Sequence, residues 1–301
     1  MSVATETARQ TVAATLAGRS RDRNPLSLAF LIALWFSLFF GVVVLVALII
    51  DTAIAGAPRL DMNLFTGYES ILRKDETGFR AGILGSIWLM LTTAVMAIPL
   101  GIAAAVHLEE FANTRAWYNR VVEINLQNLA AVPAVIYGML AVAIMGLLGY
   151  SQKGIVLGGA IALALLILPV VIITTREAIR AVPREIRDGS LALGATVWQT
   201  TWRNTLPSAI PGIATGTILG LSRAIGEAAP LVILGLATVH FDPTGLESKV
   251  TALPIQIFNL SSAAQDEYQV AASAAIVVLL VLILGMNALA IFIRNKFQRS
   301  W

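Results

Sequence analysis

The chain has 301 residues, of which 57% are hydrophobic and only 13% are charged, with a mean hydropathy of +0.79. Soluble domains carry about 25% charged residues, so this composition excludes an ordinary soluble protein and indicates a membrane protein. A net charge of +3 is too small to indicate a nucleic-acid partner. The absence of cysteine excludes disulfides, thiolate metal sites and a cysteine nucleophile. The two histidines, His107 and His240, are far apart in sequence and make a poor pair of metal ligands.

Six apolar segments are long enough to cross a bilayer, which takes about 20 residues in a helix. In chain order they are Leu28–Ile50, Ala81–Val106, Leu129–Leu148, Ile155–Thr174, Ser208–Val239 and Ala271–Ile293. Because backbone in lipid must satisfy its own hydrogen bonds and no strand period is present, the sequence predicts an all-α membrane protein with six transmembrane helices. The membrane domain is expected to cover residues 28–295. It would lie between a disordered tail at 1–27 and a short tail at 296–301.

The positions of lysine and arginine predict the orientation of these spans, because cytoplasmic loops are enriched in both. Most of the 21 Lys and Arg residues lie in the two termini, in the loop after the second span and in the loop after the fourth span. The loops on the other side carry more acids than bases. We therefore expect both termini to lie in the cytoplasm.

Proline residues interrupt several of the predicted spans or mark their ends. Proline removes one helical hydrogen bond and bends or ends a helix. We expect these residues to shape the helices, and the alternative is that they act as gating hinges. They are Pro99, Pro133, Pro169 and Pro211.

Residues 176–207, between the fourth and fifth spans, form a water-soluble segment within a hydrophobic chain. Pro183 is well placed to begin a helix there, and Gly194 is well placed to end it. Leu191 and Leu193 give that helix an apolar flank. From the pattern alone, the segment is either an amphipathic helix on the lipid surface or a docking site for another protein.

The same segment resembles the EAA loop of the permeases of ABC importers. Its pattern is E-A-A, three residues, Gly, nine residues, then I-x-L-P. Gly194 and Leu206-Pro207 match at the correct spacing, whereas Asp188-Gly189-Ser190 stands for E-A-A and Asn204 stands for Ile. The resemblance implies a type I importer permease fold, with a short cytoplasmic coupling helix that sits in a groove of a separate ATPase. The implied docking residues are Asp188, Gly189, Ser190, Ala192, Leu193 and Gly194.

The chain contains no G-x-x-x-x-G-K-[ST] sequence, so it carries no P-loop. We expect no catalytic site and no cofactor on this chain. ATP and Mg would be bound by the partner ATPase, and the chain would be one subunit of an ATP-hydrolysing translocase.

A charged pair lies inside the fifth predicted span. Arg223 and Glu227 are four residues apart, so a continuous helix would place them on one face. An arginine at the middle of a bilayer costs roughly 2.5–3.5 kcal/mol and must face protein or water. The pair therefore predicts either a site for an oxyanion, which the planar guanidinium binds two oxygens at a time, or an internal ion pair that fixes helix packing.

The sequence around this pair, SRAIGEAAPL from Ser222 to Leu231, resembles the phosphate permeases of Pst systems. Residues 98–112, 124–138 and 254–259 resemble the same family, so the likeness covers most of residues 80–295. The sequences EAAPL and HLEEFA favour the PstA branch over the PstC branch.

This resemblance implies an ATP-driven inorganic phosphate importer in the bacterial cytoplasmic (inner) membrane, with phosphate bound near Arg223 and Glu227. The implied partners are a PstC-like permease in a heterodimer, two PstB-like ATPase subunits and a PstS-like phosphate-binding protein. Two alternatives remain open at this point. One is a permease for another oxyanion or solute, and the other is an ATP-independent channel or a membrane signalling scaffold.

Overall fold

The computed structural model describes residues 25–70, 77–113, 116–263 and 265–297. Across these ranges the chain is helical, as predicted, and the single β-type contact is an isolated antiparallel bridge between Ile155 and Lys249. Residues 1–24 of the predicted N-terminal tail and 298–301 of the predicted C-terminal tail lie outside the described residues.

The chain divides into two compact units, residues 1–51 and 52–301. The described part of the first unit is the beginning of helix α1 (Pro25–Gly56), which contains the predicted span Leu28–Ile50. Every residue from Pro25 to Asp51 is exposed. A helix that is apolar on all sides is suited to a lipid surrounding rather than to water.

The second unit contains the remaining helices. They are α2 (Met62–Thr66), α3 (Arg80–Val106), α4 (Trp117–Ala130), α5 (Ala134–Leu147), α6 (Val156–Arg180), α7 (Arg184–Ala192), α8 (Val197–Thr200), α9 (Leu206–Ile225), α10 (Ala229–Ile233), α11 (Leu253–Ser261) and α12 (Asp266–Phe297). A π-helical turn, His107–Phe111, follows α3, and a second, Thr201–Thr205, precedes α9. Such turns are rare and are often found at functional sites.

Among the described residues, four helical segments are long and apolar enough to cross a membrane: Pro25–Arg59, Arg80–Phe111, Val156–Arg180 and Glu267–Phe292. They contain the predicted first and second spans and all but one residue of the fourth and of the sixth. The helix pair α4 and α5 adds a fifth candidate if it is counted as one broken span.

The third span is not the single helix predicted over Leu129–Leu148. Helix α4 ends at Ala130, α5 begins at Ala134, and the two are bent by 110°. The physical cause is Pro133, which lacks an N–H and disfavours a helical conformation at the residue before it. This proline is therefore a shape determinant, since it separates α4 from the fourteen-residue helix α5.

Helix α6 is the centre of the second unit. In its most apolar stretch 72% of residues are buried, compared with 39% in the Arg80–Phe111 segment and 11% in the Glu267–Phe292 segment. Small residues let its neighbours approach closely, as is usual in membrane bundles. A methyl group on Gly216 of α9 would overlap the side chain of Thr174.

The two ends of α6 define two ends of this unit. The end at Arg180 carries α7 and is called the inner end. The end at Val156 is called the outer end, and 25 helical residues separate the two by about 37 Å at 1.5 Å per residue. At the inner end, a small apolar cluster of Val106, Ile179, Val182, Ala209 and Ile213 joins α3, α6 and α9.

Candidate functional site

The predicted docking helix is present at the inner end. Helix α7 spans Arg184–Ala192, with Pro183 as its N-cap residue. The N–H of Gly194 donates to the carbonyl of Leu191 (3.0 Å), and the N–H of Ala195 donates to the carbonyl of Ser190 (3.3 Å). This is the Schellman pattern, which needs a left-handed residue at its C′ position. Gly194 supplies it with φ of +87°, so the predicted helix stop is confirmed.

The predicted docking residues differ in what they contact. Asp188, Gly189, Ala192, Leu193 and Gly194 are all exposed, and Leu193 is 91% exposed. An apolar side chain that is this exposed at the end of a short helix is suited to insertion into a partner.

Ser190 faces the other way and attaches α7 to the segment that follows it. Its hydroxyl is hydrogen-bonded to the hydroxyl of Thr200 (2.9 Å) and accepts from the amide of Asn204 (2.9 Å). The side chain of Asn204, which stands where the family has isoleucine, is thus used within the loop. Ser190 is better suited to positioning the helix than to contacting a partner.

A cavity of about 420 Å³ lies between α7 and this following segment, lined by Leu193, Gln199 and Arg203 among others. Beside it, the ring of Trp198 contacts that of Phe111 at 5.9 Å and that of Trp202 at 5.4 Å between centroids. All three rings are partly exposed. Aromatic side chains commonly anchor protein interfaces. The inner end therefore presents both a cavity and a group of exposed aromatic rings.

An ion-pair cluster connects three helical elements at the inner end. Arg176 of α6 contacts Glu109 and Glu123, each at 3.2 Å. Arg180, one turn further along, contacts Glu109 at 2.7 Å and Glu123 at 3.6 Å. Glu109 lies in the first π-helical turn and Glu123 lies in α4, so the two arginines hold three elements together. We call these four residues the inner ion-pair cluster.

Arg187 extends this connection to the docking helix. It donates a hydrogen bond to the carbonyl of Ile179 (2.6 Å), and its guanidinium lies 3.0 Å from a carboxylate oxygen of Glu110. Glu110 adjoins Glu109 in the π-helical turn. These two contacts attach α7 to the end of α6 and to the π-helical turn after α3, and the ion pair between Arg187 and Glu110 is largely shielded from water.

Sequence reasoning used Arg176, Arg180 and Arg187 only as markers of membrane orientation, and it did not identify their acidic partners. Glu109 and Glu123 are 67 and 53 residues from Arg176 along the chain. The available signal was the pair of acids in HLEEF, placed in a loop on the side that is otherwise rich in arginine.

The predicted geometry of Arg223 and Glu227 is wrong. Helix α9 ends at Ile225 with Gly226 as its C-cap, so Glu227 lies beyond the helix and shares no face with Arg223. Pro230 lies in the first turn of the short helix α10, which begins beyond this break. The fifth predicted span, Ser208–Val239, is accordingly a 20-residue helix followed by a break, a short helix and non-helical residues 234–239.

Arg223 is exposed and Glu227 is half-buried, and within the described ranges neither side chain has a hydrogen-bond or ion-pair partner. Tyr137 of α5 lies near Arg223, and its hydroxyl donates to the carbonyl of Leu129 (2.6 Å). The neighbouring Ser222 donates to the side-chain oxygen of Asn287 (2.5 Å). The structure thus leaves an unpaired guanidinium beside a break in the helix.

The outer end has an ion pair of its own. The side chain of Arg80 forms an ion pair with Asp242 at 2.7 Å, and Tyr68 donates to the same carboxylate at 3.1 Å. These hydrogen bonds, that of Arg80 foremost, hold the pKa of Asp242 below its usual value. In the described part of the chain, no group of three His, Cys, Asp or Glu residues is placed to hold a metal ion.

Comparison with known protein families identifies the class of this fold. The sequence profile described as "Binding-protein-dependent transport system inner membrane component" matches residues 97–299. The chain belongs to this family. The match includes the inner ion-pair cluster, the docking helix and the break after Ile225.

Individual relatives extend the likeness towards the N-terminus. The chain is 30% identical over 278 residues to the phosphate transport system permease protein PstA of Yersinia pestis, covering 92% of both proteins. It is also 30% identical over 249 residues to the protein of the same name from Xylella fastidiosa strain Temecula1, covering 81% of this chain and 85% of the relative.

Among solved structures, the fold resembles a chain of a bacterial alginate ABC transporter in complex with an alginate-bound periplasmic protein. The TM-score is 0.67 at 18% identity, over 92% of this chain and 96% of the other. At this identity the likeness concerns the fold alone. The described helices therefore form an ABC importer permease fold.

Proposed function

We propose that this chain is a membrane-spanning permease subunit of an ATP-driven importer of inorganic phosphate. The observation that carries the proposal is the likeness to phosphate transport permeases over nine-tenths of the chain. The exposed docking helix adds a physical reason for dependence on a separate ATPase.

The proposed membrane arrangement has six spans with both termini in the cytoplasm. Four helical segments and the bent pair α4–α5 supply five of the spans. Helix α9 supplies the remaining one, since its 20 residues reach about 30 Å at 1.5 Å per residue. The inner end is then the cytoplasmic end, in agreement with the arginines gathered there.

In this arrangement α7 is the coupling helix. Its exposed residues Asp188, Gly189, Ala192, Leu193 and Gly194 are proposed to enter a groove of the ATPase, while Ser190 fixes the helix from behind. Movement of the docked helix would be transmitted through Arg187 to the first π-helical turn and through the inner ion-pair cluster to α6.

Arg223 is the proposed contact for phosphate on the path through the membrane. An exposed guanidinium without a partner among the described residues is free to bind two phosphate oxygens at once. Glu227 lies just beyond the break, where a small change of backbone would bring it to Arg223 or move it away. A partly compensated cation suits transport, because an anion held too firmly could not leave.

The proposed complex contains a PstC-like permease, two PstB-like ATPase subunits that bind ATP and Mg, and a PstS-like phosphate-binding protein. ATP binding would close the ATPase pair and move the docked helices, and the spans would then open outward. After hydrolysis they would return inward. Such alternating access needs only that ATP and phosphate each bind one of the two states better.

Transport of phosphate is tested with the complete complex in proteoliposomes that contain ATP. We expect the complex to take up labelled phosphate. Unlabelled phosphate should suppress this uptake, whereas an excess of sulfate or molybdate should not. Preferential uptake of sulfate or molybdate would identify the chain as a permease for another oxyanion.

Dependence on an ATPase is tested by copurification. We expect a Walker-motif ATPase to copurify with the chain, and a variant with Leu193→Asp in the exposed face of α7 to lose it. A purified chain that conducts phosphate without any ATPase would contradict the proposal and favour a channel.

A further inference from the structure

A second cationic site lies at the outer end, opposite the docking helix. A cavity of about 370 Å³ opens between the residues just before α6 and those just after α10. Lys153 and Lys249 both line it, together with the polar side chains of Ser151 and Gln152. Two lysines therefore line one small volume, on the side from which the proposed importer would receive its substrate.

Neither lysine is neutralised by the protein. Lys153 is half-buried and Lys249 is exposed, and over the described residues neither forms a hydrogen bond or an ion pair. No carboxylate lines the cavity. Glu247, two residues from Lys249, instead accepts a hydrogen bond from Tyr150 (3.1 Å). Two like charges that share a cavity without a counterion disfavour each other and favour a bound anion.

Backbone contacts fix the two lysine-bearing segments to each other. Ile155 and Lys249 form the isolated antiparallel bridge, and the N–H of Val156 donates to the carbonyl of Ser248 (3.0 Å). The segment after α10 also lies close to the segment before α6, because a methyl group on Gly154 would lie 2.7 Å from the carbonyl oxygen of Gly235. Backbone contacts thus hold the two lysine-bearing segments side by side at the cavity.

We propose that this two-lysine cavity is a receiving site for the substrate oxyanion, inorganic phosphate, before it reaches Arg223. The proposal rests on the proposed function, since it assigns the cavity the same substrate. Lysine binds phosphate as a point charge, without the two-point geometry of arginine. The cavity is several times larger than a phosphate ion, so the ion keeps part of its water. Binding is then weak, as suits a site that must pass its ligand onward.

The first test measures protection of the two lysines in the assembled wild-type complex without its binding protein. An amine-reactive reagent modifies exposed lysines, and mass spectrometry quantifies the label at each position. We expect inorganic phosphate to slow labelling of Lys153 and Lys249 severalfold, relative to chloride at the same ionic strength. Equal labelling in phosphate and chloride would overturn the proposal.

The second test compares Lys153→Gln/Lys249→Gln with Lys153→Arg/Lys249→Arg in proteoliposomes. The glutamine variant loses the charge-assisted hydrogen bonds to phosphate, so we expect its maximal uptake rate to fall about tenfold. The arginine variant keeps both charges and should retain its activity. The concentration of phosphate-loaded binding protein that gives half-maximal uptake should not change. If that concentration rises instead while the maximal rate is kept, the lysines dock the binding protein and the proposal is wrong.

These outcomes can be separated from failure of the proposed function. If the wild-type complex transports sulfate in place of phosphate, the proposed substrate fails in the uptake assay, whatever the lysines do. If the wild type transports phosphate but its lysines are not protected and the glutamine variant transports normally, only the receiving site fails.

Discussion

The paired arginines of the inner end and the two lysines that line the outer cavity carry the same charge in opposite arrangements. At the inner end, Arg176, Arg180 and Arg187 all contact carboxylates and join α6 to neighbouring elements. At the outer end, Lys153 and Lys249 face a cavity without a counterion among the described residues. Cations paired within the protein hold elements together, whereas unpaired cations remain available to an anion.

Two arginines show the same contrast within the membrane domain. Arg176 is buried and held by two glutamates, while Arg223 is exposed and has no partner in the described part of the chain. We therefore propose that Arg176 transmits movement and that Arg223 contacts substrate.

Replacing Arg223 tests the assignment of an unpaired cation to substrate. Arg223→Gln removes two charge-assisted hydrogen bonds to phosphate, so we expect uptake to fall by about a hundredfold or more. The complex should still assemble, because the described residues give the side chain no protein partner to lose. Uptake in proteoliposomes and size-exclusion chromatography of the complex measure the two effects.

The matched control for this variant is Arg120→Gln. Arg120 is also exposed and has no partner among the described residues, but it lies in α4 at the inner end. The complex with Arg120→Gln should take up phosphate at the wild-type rate. Persistence of wild-type uptake in Arg223→Gln would show that this arginine has no contact with substrate.

Replacing Arg176 tests the role of the inner ion-pair cluster. Arg176→Gln leaves Glu109 with reduced compensation in a largely buried place, and removal of one partner of such a pair costs about 3 kcal/mol. We expect ATP hydrolysis to continue while uptake per ATP falls about tenfold. Glu123→Gln, which removes a more exposed partner, should give a milder form of the same defect.

Arg184→Gln is the control, since Arg184 is exposed in α7 and has no partner among the described residues. Its ratio of uptake to hydrolysis should equal that of the wild type. An equal loss in both variants would mean that arginine in this loop acts through net charge and not through the ion pairs.

Two glycines of the docking helix offer a paired test of its geometry. Gly194→Ala forces a side chain into the left-handed region and should cost about 1–2 kcal/mol. Gly189→Ala lies inside the helix with open space around it and should stabilise α7 by roughly 0.5–1 kcal/mol. The unfolding temperature and the affinity for the ATPase should therefore both fall in Gly194→Ala and both rise in Gly189→Ala. A change in the same direction in both variants would show that the C-terminal turn does not set the position of the helix.

The smallest effect is expected for the exposed pair Arg80–Asp242. Because the pKa of Asp242 is lowered, its contribution to stability is present above the usual aspartate pKa and is lost as the pH falls through the lowered value. Asp242→Asn should thus reduce the loss of thermal stability as the pH falls from about 5 through the usual aspartate pKa and below it. An unchanged pH profile would mean that the pair contributes nothing to the outer end.

The sequence was sufficient to predict the features that depend on local pattern. Runs of apolar residues predicted the helices within α1, α3, α6 and α12, and the position of Gly194 predicted the end of α7. Each of these follows from hydropathy or from the backbone preference of one residue.

Features that depend on distant residues or on broken periodicity were not predicted. Pro133 was recognised, but the amphipathic helix α4 before it was read as a loop, so the 110° bend was missed. The four-residue spacing of Arg223 and Glu227 suggested a shared face, which exists only if the helix continues through Gly226. The carboxylate partners of Arg176 come from elements that folding brings together, and spacing along the chain carries no sign of them.

The most direct test of the central claim is the number of phosphate ions imported per ATP hydrolysed, measured in the same proteoliposomes for the wild type and Arg176→Gln. The account predicts a fixed ratio for the wild type and a ratio about tenfold lower for the variant, with its ATP hydrolysis retained. The same ratio in both would contradict coupling through the inner ion-pair cluster. Phosphate uptake that proceeds without ATP would contradict an ATP-driven importer altogether.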